Sequence, residues 1–174
     1  MEKDIYCYTA EFFAEKGISR VVFDLDNTVA PYSMLKPDGK IKAYFKSLCE
    51  AGITASLVSN NKEERVNLFN GELGLFCVAD AKKPSPEGVL RCIDEGKRKK
   101  EKGKRKENGE QEMLERSVLV GDQIFTDCLA ARRAGIPCFL VEPVQPRESL
   151  FFKLKRLLER PFIWRYKKIQ RQNT

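Results

Sequence analysis

The chain has 174 residues, 33% of them charged and 42% hydrophobic, which suits a single folded domain, 1–174, with one sizeable core. No apolar run approaches the ~20 residues that span a bilayer, and the opening MEKDIYCYTAEFF is acidic with no small-residue cleavage site, so neither a membrane span nor a secretory signal is expected. The chain contains no histidine, which excludes a Ser-His-Asp triad, a histidine-bound metal and a thiol activated by imidazole, and leaves proton transfer to carboxylates, Lys, Tyr or Cys.

In chain order, residues 4–16 read as a helix ended by Gly17, and 20–25 as a short apolar strand. Asp38 is placed to cap a helix running to Ala51, with Ile41, Phe45 and Leu48 on one face and Gly52 just beyond its end. A strand is predicted at 53–58, a helix at 62–70, a strand at 75–79 and a helix from about Ser85. The next stretch is polar and strongly basic: residues 97–106, KRKKEKGKRK, carry +7, and about 95–112 reads as a disordered insertion. A strand at 117–120, a helix to Ala134 and a strand at 136–141 follow.

Residues 147–171 carry a second +7, which leaves −7 for the remainder of a chain whose net charge is +7. Within this tail, 147–174, Leu150, Phe151, Leu154, Leu157 and Leu158 recur at helical spacing, Pro161 ends the helix, and Phe162, Ile163, Trp164 and Tyr166 lie among basic residues. That pattern fits a helix docked on the core and equally a helix lying on an anionic membrane surface. Six cysteines at 7, 49, 77, 92, 128 and 138 form no C-x-x-C pair and read as reduced, mostly buried residues of a cytoplasmic protein.

Strands alternating with helices imply an α/β fold, a doubly wound, Rossmann-like parallel sheet whose ligands bind at the carboxyl ends of the strands. Each of the first four strands runs into a polar cluster there: Asp24-Leu-Asp26-Asn-Thr28, Ser59-Asn60-Asn61, Lys82-Lys83-Pro84, and Gly121-Asp122 through Asp127. Any one of these alone reads as a turn, a cap or a loop. Four in succession, each at a strand end, form a joint signal. Asp24, Asp26, Asp122 and Asp127 concentrate negative charge and so require a cation, and an all-oxygen donor set suits a hard ion such as Mg²⁺. One carboxylate of Asp24 and Asp26 can attack phosphorus while the other handles protons, with Ser59 and the amides near Asn60 on phosphoryl oxygens and Lys83 adding positive charge.

With these residues in place, the chain resembles the haloacid-dehalogenase (HAD) superfamily of phosphotransferases: Asp24-Leu-Asp26-Asn-Thr28, Ser59, Lys83 and Gly121-Asp122…Asp127 match its four motifs. The runs VSNNKEERVNLF, VGDQIFTDCLAARRAGI and FKLKRLLERPFIWRYKK look like the YqeG-type subfamily of its capless class III phosphatases, over residues ~17 to 170, the basic insertion excepted. The resemblance implies an aspartyl-phosphate on Asp24, proton transfer by Asp26, Mg²⁺ held by Asp24, Asp122 and the backbone carbonyl of Asp26, and Asp127 beside the ion or orienting Lys83. Lys83, directly before the proline, is favoured over Lys82. Thr28 and Asn60 join Lys83 as expected substrate-binding residues.

About thirty residues separate Thr28 from Ser59, and 23 lie between Asn60 and Pro84, too few in either gap for a cap domain of ~50 residues. An open, capless site suits a phosphate carried on something large. The subfamily is similar to phosphatases that act on phosphatidylglycerophosphate, and the basic tail favours a lipid presented at an anionic membrane, with peripheral contact there. Phosphoprotein or nucleic-acid ends are the alternative substrates, although no base-reading or RNA-binding motif supports nucleic acid. A non-catalytic binding module would predict damage to the acidic set, and none is present.

Overall fold

The computed structural model describes residues 1–98 and 107–145. The expectations for the tail 147–174, and for the centre of the basic insertion, lie outside the described residues. Five strands, β1 (Arg20–Asp24), β2 (Thr54–Val58), β3 (Phe76–Val78), β4 (Ser117–Gly121) and β5 (Cys138–Leu140), form one sheet in the order β3-β2-β1-β4-β5. All four pairings are parallel. The helices are α1 (Ala10–Glu15), α2 (Gly39–Glu50), α3 (Glu63–Asn70), α4 (Glu87–Arg98), α5 (Glu107–Glu115) and α6 (Leu129–Ala134).

Successive side chains of a strand face opposite sides, and the sheet is covered on both. Val21, Phe23, Val118 and Val120 pack with Phe45 and Leu48 of α2 and Val66 and Phe69 of α3. Val22, Leu119, Val58 and Val78 pack with Val89 and Ile93 of α4 and Ala130, Ala131 and Ala134 of α6. Fully burying each of the larger apolar side chains contributes about 1.5–3 kcal/mol. The register aligns Asp24 with Val58, and Val58 with Val78, so the first three strands end at one edge. β4 sits beside β1 with Val120 opposite Phe23, which brings Gly121 and Asp122 to that edge too. β1 and β4 are also where the winding reverses, the switch point at which such sheets bind ligands.

Four expectations need correction. Residues 4–16 are not one helix: Asp4 caps a 3-10 turn at Ile5–Cys7, and Thr9, in extended conformation, accepts from the Phe12 amide to start α1 afresh. The insertion is helical at both margins, since α4 runs to Arg98 and α5 begins at Glu107. The segment after β4 begins as a single wide turn, Ile124–Cys128, before α6. Only Cys92 is buried; Cys7 and Cys49 are exposed.

The N-terminus protects the sheet edge. The Glu2 amide donates to the Leu140 carbonyl (3.0 Å), the Glu142 amide donates to the Glu2 carbonyl (2.9 Å), and the Tyr8 hydroxyl donates to the Leu140 carbonyl (3.1 Å). No helix among the described residues is long and apolar enough to cross a membrane.

Candidate active site

Asp24 is the last residue of β1, and the chain turns immediately after it. Asn27 adopts a left-handed conformation (φ 77°), which asparagine tolerates better than most residues, and its amide donates to the Ala30 carbonyl (2.7 Å). The turn points Thr28 back at the strand ends. The Thr28 hydroxyl lies 2.8 Å from Asp24 Oδ2 and 3.3 Å from Asp122 Oδ1, so one hydroxyl bridges carboxylates from β1 and from the end of β4.

At the end of β2, the Ser59 hydroxyl donates to Asp26 Oδ2 (2.9 Å) and accepts from the Asn61 amide (2.9 Å). The Asn61 side chain donates to the same Asp26 oxygen (3.2 Å). Arg65 Nη2 of α3 stands 3.4 Å from Asp26 Oδ1. The expected substrate-binding Asn60 has its side chain turned elsewhere: it accepts from the Lys83 amide (2.6 Å) and donates to the Lys83 carbonyl (3.0 Å). The loops after β2 and β3 are further joined by the Asp80 amide on the Asn61 carbonyl (2.8 Å) and the Ala81 amide on the Ser59 carbonyl (3.0 Å).

This clamp delivers Lys83 rather than Lys82: the former is buried and the latter exposed. Lys83 Nζ donates to Asp24 Oδ1 and, at 2.7 Å, to Asp127 Oδ1. Asp127 Oδ2 accepts from the Gln123 amide (3.0 Å), so both of its oxygens are engaged. Asp24, Asp26, Thr28, Ser59, Lys83, Asp122 and Asp127 are all buried, and the fold brings them to one edge of the sheet.

The electrostatics follow. Burial, with Asp127 and Asp122, outweighs the pull of Lys83 and pushes the Asp24 carboxyl up to about 8. Burial acts to lower Lys83, but Asp127 and Asp24 outweigh it and hold the ammonium above its ordinary value. Oxygens of Asp24, Asp122 and Asp127 lie within 4.8 Å of one another. Three carboxylates against one ammonium leave negative charge uncompensated, and the donors are all oxygen, so the cluster fits a hard divalent cation. The Asp26 carboxyl is outside this trio and turned to Ser59, Asn61 and Arg65, so its expected share in a cation would fall to its backbone carbonyl.

Three participants are given no role by the sequence, although Asn27 and Asn61 lie within its strand-end clusters. Asn61 and Arg65 both reach Asp26. Asn27 exchanges two hydrogen bonds of 2.8 Å with the backbone of Gln145, and its carbonyl accepts from the Val144 amide (2.9 Å), tying the chain after β5 to the turn that follows β1. For Arg65 a faint signal existed: it precedes the apolar Val66 and stands one turn before Phe69, on the margin of the buried face of α3.

Comparison with known proteins gives four likenesses. The pattern of the HAD-hydrolase-like family matches residues 81–143, which include Lys83, Asp122 and Asp127. The probable phosphatase YqeG of Bacillus subtilis (strain 168) is 30% identical over 158 residues, covering 91% of this chain and 84% of that protein. Among structures, a hypothetical protein of Xanthomonas campestris is 20% identical with a TM-score of 0.47, over 70% of this chain and 63% of its own length, so the match spans under two thirds of that protein. The cobalt-bound deoxy-D-mannose-octulosonate 8-phosphate phosphatase of Haemophilus influenzae is 16% identical with a TM-score of 0.49, over 70% of this chain and 68% of that one.

Proposed function

The chain belongs to the HAD-like hydrolase family that includes the probable phosphatase YqeG, and from that premise we propose that it is a phosphomonoester hydrolase whose nucleophile is Asp24. The observation that carries this reading is the Thr28 hydroxyl bonded to both Asp24 and Asp122, which holds carboxylates of two neighbouring strands around one point. A divalent ion, Mg²⁺ in this reading, would be held by Asp24 and Asp122; when bound it offsets their repulsion and attracts a phosphate dianion.

Asp24 Oδ attacks phosphorus, and the bond from phosphorus to the leaving oxygen breaks to give an aspartyl-phosphate. Asp26 gives its proton to that leaving oxygen. It then takes a proton from water as the water oxygen attacks phosphorus and the Asp24–phosphate bond breaks. Ser59, already within reach of Asp26, and Lys83, bridging Asp24 and Asp127, face the transferring group; the fixed ammonium stabilises charge on the phosphoryl oxygens without reorganising. Asp127 orients Lys83. Asn60 acts by fixing the Lys83 backbone rather than by touching substrate.

The substrate we propose is a lipid-borne phosphate such as phosphatidylglycerophosphate at an anionic membrane surface. Two features support it. Between Thr28 and Ser59 the chain builds only a loop, α2 and β2, and between Asn60 and Pro84 only α3 and β3, so no cap covers the site from either position. The tail 147–171 supplies basic residues among aromatic and aliphatic ones. The test is a screen of phosphorylated lipids, peptides and nucleotides with Mg²⁺ present or chelated, run with the wild-type chain and Asp24→Asn. Metal-dependent release of phosphate, lost in the folded variant, is expected; turnover that survives Asp24→Asn would remove the nucleophile.

A further inference from the structure

Arg65 is buried in an unusual way. Its side chain is 9% exposed, and Nε, Nη1 and Nη2 are each shut off from solvent with no hydrogen-bond partner among the described residues. A guanidinium has five N–H donors, and burying them unsatisfied is costly. An arginine retained for the fold alone would spend that fork on carbonyls or carboxylates. This one instead lies against two aromatic rings: its central carbon is 5.3 Å from the Phe69 ring centroid and 5.9 Å from that of Tyr32. Its ionic partner is Asp26, at 3.4 Å.

Asp26 is therefore held on two sides. Oδ2 accepts from Ser59 and Asn61, and Oδ1 faces Arg65. Phe69 is fully buried and packs close to the guanidinium, and Tyr32, 60% exposed, reaches it from the loop that follows β1. We infer that Arg65 is a positioning residue that sets the orientation of the Asp26 carboxyl for proton transfer to the leaving group; this rests on the reading of Asp26 as the proton donor. Arg65 itself has no exposed nitrogen with which to reach a substrate, so its influence passes through Asp26.

The chemistry supplies a selective readout. When the bond from phosphorus to the leaving oxygen breaks, an alkoxide must receive the Asp26 proton, whereas a nitrophenolate departs without one. A misoriented Asp26 therefore penalises alkyl phosphates and spares nitrophenyl phosphate. A loss of packing penalises both alike.

The experiment uses the full chain with Mg²⁺ and compares kcat/KM for glycerol phosphate and 4-nitrophenyl phosphate in wild type, Arg65→Met, Arg65→Lys and Tyr32→Ala. For Arg65→Met the alkyl substrate is expected to lose about tenfold or more beyond the loss on the aryl substrate. Arg65→Lys should recover part of that bias, and Tyr32→Ala should show a smaller version of it. Should Arg65→Met fail to fold, Arg65→Lys and Tyr32→Ala carry the comparison, since Tyr32 is exposed. Equal losses on the two substrates, or no bias in any variant, overturn the inference. A wild-type chain inactive on both, and on every phosphorylated lipid, peptide and nucleotide of the screen, would remove the phosphatase reading and this inference with it.

Discussion

Gly121 gives up its side chain so that Asp127 can stand where it does. A Cβ built on Gly121 would lie 2.5 Å from the Asp127 Cβ and 2.6 Å from its carboxylate, closer than real Cβ contacts come. Gly121 is the last residue of β4, and Asp127 holds Lys83 through Oδ1 and the Gln123 amide through Oδ2. Gly121→Ala must therefore push Asp127 aside, and Lys83 with it. The expected result is a folded protein destabilised by about 1–3 kcal/mol, the usual cost of overpacking a closed site, with phosphatase activity lowered by at least tenfold, in keeping with the cost of small misplacements. Thermal melting and phosphate release measure the two. Full activity would mean that the position of Asp127 is not needed.

Asn60 offers a second handle on Lys83 without touching its side chain. Its amide makes two hydrogen bonds to the Lys83 backbone, one as acceptor and one as donor. Asn60→Ala removes both and should cost about 1–3 kcal/mol in stability, given ~0.5–1.5 kcal/mol per bond, along with most of the activity. Asn60→Asp keeps the acceptor and loses the donor, so it should fall between the two in denaturant titrations. An alanine variant as stable and active as wild type would leave the clamp without consequence.

The order of strands and the four strand-end clusters were legible because they are local: a short apolar run followed by polar residues marks both a buried strand and its functional end. Of the four expected carboxylates, Asp24 and Asp122 needed only the parallel topology to meet. What escaped was either long-range or conformational. Nothing near Asn27 announces Gln145, 118 positions away in sequence. Arg65 sits in a run of charged residues that reads as a solvated helix face, and only the tertiary fold shows that its guanidinium lies against Tyr32 and Phe69. The amides near Asn60 are legible as phosphoryl donors, but that its side chain is claimed by the Lys83 backbone of the loop after β3 depends on the fold. The split between the turn at Ile5–Cys7 and α1 follows from Thr9, whose capping role outcompetes continuation of the helix.

The tail supplies a prediction about location. Residues 147–171 hold nine basic and two acidic side chains, and basic residues near an anionic surface each contribute about 1 kcal/mol. Asn27 anchors residues 144 and 145, the last of the described chain, to the turn after β1. The full chain should co-sediment with vesicles rich in anionic lipid and release from them as salt rises, whereas a chain ending at residue 146 should stay in solution. Melting of the shortened chain checks that it is folded. Equal, negligible binding by both forms would count against a membrane-borne substrate.

The acidic cluster should also make stability depend on pH in a direction opposite to most carboxylates. In the folded chain without metal, burial and the neighbouring Asp127 and Asp122 outweigh Lys83 and keep the Asp24 proton up to about 8, against 3.8 for an unperturbed aspartate. Between those values the unfolded chain has released this proton and the folded chain has not. The stabilisation from Asp24 is therefore complete below about 4 and disappears as pH rises through about 8. Lys83, held above its ordinary value, stays charged in both states across this interval and adds no slope. With no histidine in the chain, few other groups titrate near neutrality. In chelator, the melting temperature should fall from pH 5.5 to 8, with a slope of at most about 1.4 kcal/mol per pH unit from this one group, and Asp24→Asn should flatten it. Mg²⁺ should raise the melting temperature more at pH 8 than at pH 5.5, because at the lower pH it must first displace the proton. A wild-type slope that persists unchanged in Asp24→Asn would assign the effect to another group.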